Sequence, residues 1–178
     1  MSNTSTKVAE PLDRQWPAIW ADDELRLQWE FLAFLRITVV NKIAGLDPAR
    51  AAATPLPASP LLSLTGIVKH LTSVERWWLS IVGGAADLPD PWAGQDADVD
   101  FRLTDDDTPA SVVAAYRQEW SHAEWALAGM SPGDAAKLTF RGEDRTVRWL
   151  LTHLIQETAR HAGHMDILRE LADGARGE

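Results

Sequence analysis

Residues 146–173, TVRWLLTHLIQETARHAGHMDILRELAD, repeat apolar side chains at the spacing of one helical face. Leu150, Leu151, Leu154, Thr158, Met165, Leu168 and Leu171 fall on that face and are expected to point inward. Thr146 suits an N-cap and Gly174 a stop, so the spacing predicts a long helix from near Thr146 to Asp173–Gly174. Within it, His153, His161 and His164 are three of the chain's five histidines. With Leu154 at zero and about 100° per residue, His161 lies at about −20°, Glu157 at about −60° and His164 at about −80°. Glu157 and His161 therefore share the leucine sector, one turn apart. A carboxylate aimed at a core is costly unless something positive pairs with it. A divalent cation would meet that need. So would a simple i,i+4 ion pair, and a hydrogen-bonded core histidine is a third reading; spacing leaves all three open.

Three further segments carry helical periodicity. The first runs from about Asp22 to Ala44, with Leu25, Leu32, Leu35, Val39 and Ile43 near one face and Trp29 on its edge. It stops before Gly45, and residues 49–60, ARAAATPLPASP, contain three prolines that prevent a helix from continuing. The second starts near Ser63 or Thr65 and ends at Gly83–Gly84. Its stripe is Ile67, Leu71, Val74, Trp78 and Ile81, with His70 on the flank. The third opens at Thr108–Pro109 and passes through Val112, Tyr116 and Trp120 to about Met130.

The connection from Gly83 to Asp107 is long and acidic. It reads as a solvated loop rather than a calcium site, because the full D-x-D-x-D-G pattern is missing. VDFRL at 99–103 carries a weak strand-pair signal, and Trp92 is the expected anchor of the loop over the bundle's end. Residues 137–145, KLTFRGEDR, read as a turn with extended flanks. The expected fold is all-α, a four-helix bundle with a long connection between helices 2 and 3. One domain is expected over 1–178, with 1–20 as an N-terminal extension.

Composition narrows the functional classes. The net charge of −9 argues against general affinity for nucleic acid, which rests on Lys and Arg neutralising phosphates. Residues 1–15 lack the apolar core of a secretory signal, and no run is long enough to span a membrane, so a cytoplasmic location is expected. Cysteine is absent, which excludes disulfides, thiolate metal sites and a protein-derived thiol nucleophile. Any thiol chemistry needs sulfur from a cosubstrate. Among the nine tryptophans, Trp77, Trp78 and Trp149 read as core filling in preference to the wall of an apolar pocket. Arg160 and Arg169, on a helix with Asp166 and Glu170, read as surface ion pairs, and His122 has no evident partner.

The segments KHLTSVERWW (69–78) and RWLLTHLIQETARHAGHMDILRE (148–170) resemble the DinB superfamily. More closely, they resemble its DinB-like or mini-circle branch, which is related to the N-terminal domain of mycothiol-dependent maleylpyruvate isomerase. The resemblance implies a bundle with a metal at one end, held by a histidine on the second helix and an H-x-x-x-H pair on the last. By position these fall on His70, residue 157 and His161. Residue 157 is Glu here, a departure that the isomerase branch resembles in pairing two histidines with one Glu. Carboxylate oxygen and imidazole both suit zinc, with nickel as the alternative.

Three protein ligands leave an open metal position, which can lower the pKa of a bound water or thiol. The resemblance implies a thiol S-transferase or isomerase using a low-molecular-weight thiol such as mycothiol or bacillithiol on a small electrophile. His164 is the candidate catalytic proton carrier, with His153 a weaker one. The rivals are a metal-dependent hydrolase and a non-catalytic, stress-related ligand-binding protein. Bundles of this family often pair, and the Trp-rich helices are compatible with a homodimer.

Overall fold

The computed structural model describes residues 10–18, 23–94 and 96–176. Five α-helices account for its regular structure, with one π-helical segment. They are α1 (Glu24–Ile43), α2 (Pro48–Ala52), α3 (Leu64–Glu75), α4 (Pro109–Ala126) and α5 (Val147–Asp173). The π segment, Arg76–Gly83, continues α3. Among the described residues there is no strand, only isolated bridges between Ala135 and Thr146 and between Phe140 and Glu143.

The caps explain most boundaries. Ser63, Thr108 and Thr146 each accept a backbone N–H in the first turn of α3, α4 and α5, and Pro109 sits where its missing N–H costs nothing. Gly174 adopts φ +79° and closes α5. The short helix α2 occupies the start of the connection at 49–60, ahead of its three prolines. Asp47 caps it and Pro48 lies in its first turn, where proline is tolerated. The VDFRL segment is not a strand pair. Asp-rich turns take up its backbone instead, with Phe101 N–H donating to Asp98 O and Asp98 N–H to Asp96 Oδ1.

Helix α1 packs on α5, and α3 packs on α4. The core falls into two apolar clusters. One gathers Val39, Ile43, Ile67, Leu71, Tyr116 and Met165; the other gathers Leu32, Val74, Leu79, Leu150, Leu151 and Leu154. Between them each of the four long helices contributes a buried polar residue: Arg36, Glu75, Glu119 and Thr158. Arg36 lies inside the stripe of α1 while Leu35, expected there, is only half-buried. Leu171, expected to point inward, is instead 56% exposed in the last turn of α5.

In the second helix, Val74 is buried as expected, but the next inward residues are Leu79 and Val82 instead of Trp78 and Ile81. The π segment accounts for this shift. Its i→i+5 bonding inserts one residue into a turn, so every side chain beyond Glu75 moves one position around the axis. No helix among the described residues is long and apolar enough to cross a membrane.

Candidate metal centre

His70 sits in the second turn of α3, and Glu157 and His161 lie on successive turns of α5. One potential ligand atom from each of the three lies within 4.8 Å of the others. Donors around a tetrahedral zinc stand roughly 3.4 Å apart, a spacing within reach of small side-chain rotations from here. The Nε2 of His161 is 3.4 Å from Glu157 Oε1, and the rings of His70 and His161 meet edge-on at 4.8 Å. The other Glu157 oxygen lies 3.8 Å from Arg160.

The protonation states suit a cation. Burial pushes the His161 imidazole down to about 4; charge on His70 and His164 adds to this and Glu157 opposes it. His161 is thus neutral at pH 7, with a lone pair to offer. His70 Nδ1 is engaged by Asp100 Oδ2 at 2.8 Å, which leaves Nε2 for a ligand. Two imidazoles and one half-buried carboxylate are a donor set that fits a borderline divalent ion such as Zn²⁺.

His164 borders this group. Its ring meets that of His161 edge-on at 5.3 Å, and its Nδ1 is buried with no hydrogen-bond partner among the described residues. His153 lies elsewhere, two turns before His161. It stacks on Trp149 (5.0 Å, 20°) and meets Trp78 edge-on at 5.1 Å. Trp77, Trp78, Trp92, Phe140 and Trp149 join it in a chain of ring contacts. Trp77 and Trp78 are half-buried and pack against the second core cluster, as expected of them, whereas Trp149 is exposed and leaves the aromatic chain partly open. Trp92 does anchor its loop, edge-on to Trp77.

Arg169 donates to the carbonyls of Lys42 and Ala44 and pairs with Asp173, so it ties the end of α1 to α5. His122 has a partner after all: the fully buried Glu119, at 3.4 Å. Glu119 also accepts from Ser80 Oγ at 2.6 Å and Arg76 Nε at 3.1 Å. The acidic loop is mainly exposed, as expected, except at Asp100, which is 3% exposed, and at Asp107, which binds Lys69. Sequence reasoning missed Asp100. It stands among similar aspartates, and only the fold places it against His70.

The all-α bundle is DinB-like in architecture. The family model for mycothiol-S-transferase matches residues 27–174, and the chain belongs to that family. Its fold also resembles that of a conserved protein from Enterococcus faecalis, known from a crystal structure. The TM-score is 0.64 at 16% identity, over 87% of this chain and 100% of that one, a likeness of fold alone. No curated protein matches the sequence.

Proposed function

We propose that the protein is a metal-dependent thiol S-transferase, with His70, Glu157 and His161 holding a divalent metal, zinc first and nickel second. The observation that carries this reading is the convergence of His70 from α3 with Glu157 and His161 from α5, their ligand atoms within 4.8 Å. Membership of the mycothiol-S-transferase family supports a low-molecular-weight thiol as cosubstrate. A chain without cysteine must take its sulfur from such a molecule.

His70, Glu157 and His161 would hold the metal, which would supply the Lewis acidity that lowers the pKa of a thiol. Glu157 brings a negative charge that offsets part of the metal's, and the two imidazoles hold the geometry. His164, whose ring meets that of His161 edge-on at 5.3 Å, is the neighbouring imidazole that would accept the thiol proton. The sulfur then forms a bond to the electrophilic carbon of the second substrate, and the leaving group departs with its bonding electron pair.

Elemental analysis of the purified wild type beside His161→Ala tests the centre, and equal metal content in the two would remove it. Turnover of an activated aryl halide with mycothiol, bacillithiol or glutathione then tests the chemistry. Thiol-dependent product is expected with the wild type and a large loss with His161→Ala. Turnover without any thiol would point to a hydrolase, and tight ligand binding without turnover to a sequestering protein; either result would overturn the transferase.

A further inference from the structure

The loop between the π segment and α4 grips one face of α3 at consecutive residues. Asp100 Oδ2 lies 2.8 Å from His70 Nδ1, and the Phe101 ring stacks on the His70 imidazole at 4.1 Å and 18°. The preceding residue, Lys69, donates through Nζ to Arg102 O at 2.7 Å and to Asp107 Oδ2 at 2.9 Å. One turn before His70, Gly66 leaves room for the loop backbone. A Cβ there would stand 3.1 Å from Phe101 O and 3.0 Å from Ser63 Oγ.

We infer that Asp100 is a positioning residue, holding the His70 ring with its hydrogen on Nδ1 and its Nε2 lone pair turned toward Glu157 and His161. This rests on the proposed metal centre. A carboxylate 3% exposed needs a donor, and His70 Nδ1 stands 2.8 Å from its Oδ2; its Oδ1 has no partner among the described residues. The other tautomer would set a nitrogen lone pair against the carboxylate and leave both groups unsatisfied. Carboxylates that accept from the second ring nitrogen of a metal-binding histidine fix its tautomer and raise its basicity. Phe101 closes the remaining freedom by stacking on the ring face. His161 lacks such a hold, since its Nδ1 is buried without a partner among the described residues. His70 is therefore the imidazole whose Nδ1 is held by a carboxylate.

Two measurements test this, one of them independent of any metal. In the metal-free wild type, long-range ¹⁵N–¹H correlation should show His70 protonated on Nδ1 and bare on Nε2, while Asp100→Ala should show a mixture of tautomers. Zinc affinity, read by competition with a chromophoric chelator, should fall about 10–100-fold in Asp100→Ala. The isosteric Asp100→Asn removes the charge with less risk to folding and should also weaken zinc. Folded variants that keep the wild-type tautomer and zinc affinity would overturn the role of Asp100. Equal zinc affinity in the wild type and His70→Ala would instead remove the metal centre, and the tautomer measurement would still decide whether Asp100 orients the ring.

Discussion

Arg36 and Glu75 meet through two parallel contacts, Nε to Oε1 at 3.0 Å and a terminal guanidinium nitrogen to Oε2 at 2.6 Å, with side chains 2% and 0% exposed. Burial pushes the Glu75 carboxyl up, and the Arg36 guanidinium restores only part of its acidity. Removing Glu75 leaves the buried Arg36 charge with the exposed Glu124, 3.6 Å away, as its weaker counterion, whereas removing both Arg36 and Glu75 with apolar side chains of similar size leaves no buried charge. Glu75→Ala should therefore cost about 3–5 kcal/mol, and Arg36→Met with Glu75→Leu much less than the sum of the single losses. Urea unfolding of the three variants checks this. A loss below about 1 kcal/mol for Glu75→Ala would mean the pair is solvated and the polar layer is not a core feature.

That layer shows where a sequence is readable and where it is not. The caps Ser63, Thr108 and Thr146 are local features, and the helices they open were legible from residue types a few positions apart. Glu157 and His161 were legible because a carboxylate interrupts a leucine stripe. The same signal stands at Arg36, between Leu32 and Val39, and at Glu75, between Leu71 and Leu79. Two opposite charges inside two stripes could have been paired by that logic. The shift from Trp78 and Ile81 to Leu79 and Val82 was not legible, because a π turn has no residue signature in RWWLSIVG. Nor was Asp100, whose role depends on a contact 30 residues away in the chain.

Metal removal should be visible as a loss of stability. A ligand that binds only the folded chain stabilises it by mass action, by about 2.7 kcal/mol at a free concentration 100 times its dissociation constant. With zinc supplied, thermal unfolding of the wild type should move down by several degrees on adding a chelator. His161→Ala should show no such response. An equal chelator effect on both proteins would place any bound zinc away from α5.

Acid should weaken the protein partly through His153. Burial lowers its pKa from 6.5, the Glu157 charge opposes this, and Arg160 adds to the lowering. Below about 6.5 the unfolded chain takes up a proton that folded His153 resists, so its contribution is complete at neutral pH and is lost on acidification. His153→Gln has no such group to titrate. The melting-temperature advantage of the wild type over this variant should shrink as the pH drops below 6.5, measured on metal-free protein. A constant difference across that range would mean the Trp78–Trp149 slot does not exclude water from the imidazole.

Two glycines give opposite outcomes for the same substitution, for reasons visible at each. At the end of the π segment, a Cβ on Gly84 would lie 2.4 Å from Ala126 Cβ and 2.8 Å from Ala126 O, at the last turn of α4. Backbone cannot swing aside as a flexible side chain can. Gly84→Ala should destabilise by about 1–3 kcal/mol and loosen the junction of α4 with the second helix. Gly163 lies inside α5 between His161 and His164, with nothing within 4 Å of an added Cβ and no unusual backbone angle. Alanine there removes freedom from the unfolded chain without any clash, so Gly163→Ala should stabilise by about 0.5–1 kcal/mol. Denaturant midpoints separate the two. The second variant should also keep its zinc content, because the added methyl group projects to solvent, away from the neighbouring imidazoles. Loss of metal in a stabilised Gly163→Ala protein would mean that α5 must deform at this glycine for His161 and Glu157 to close on the ion.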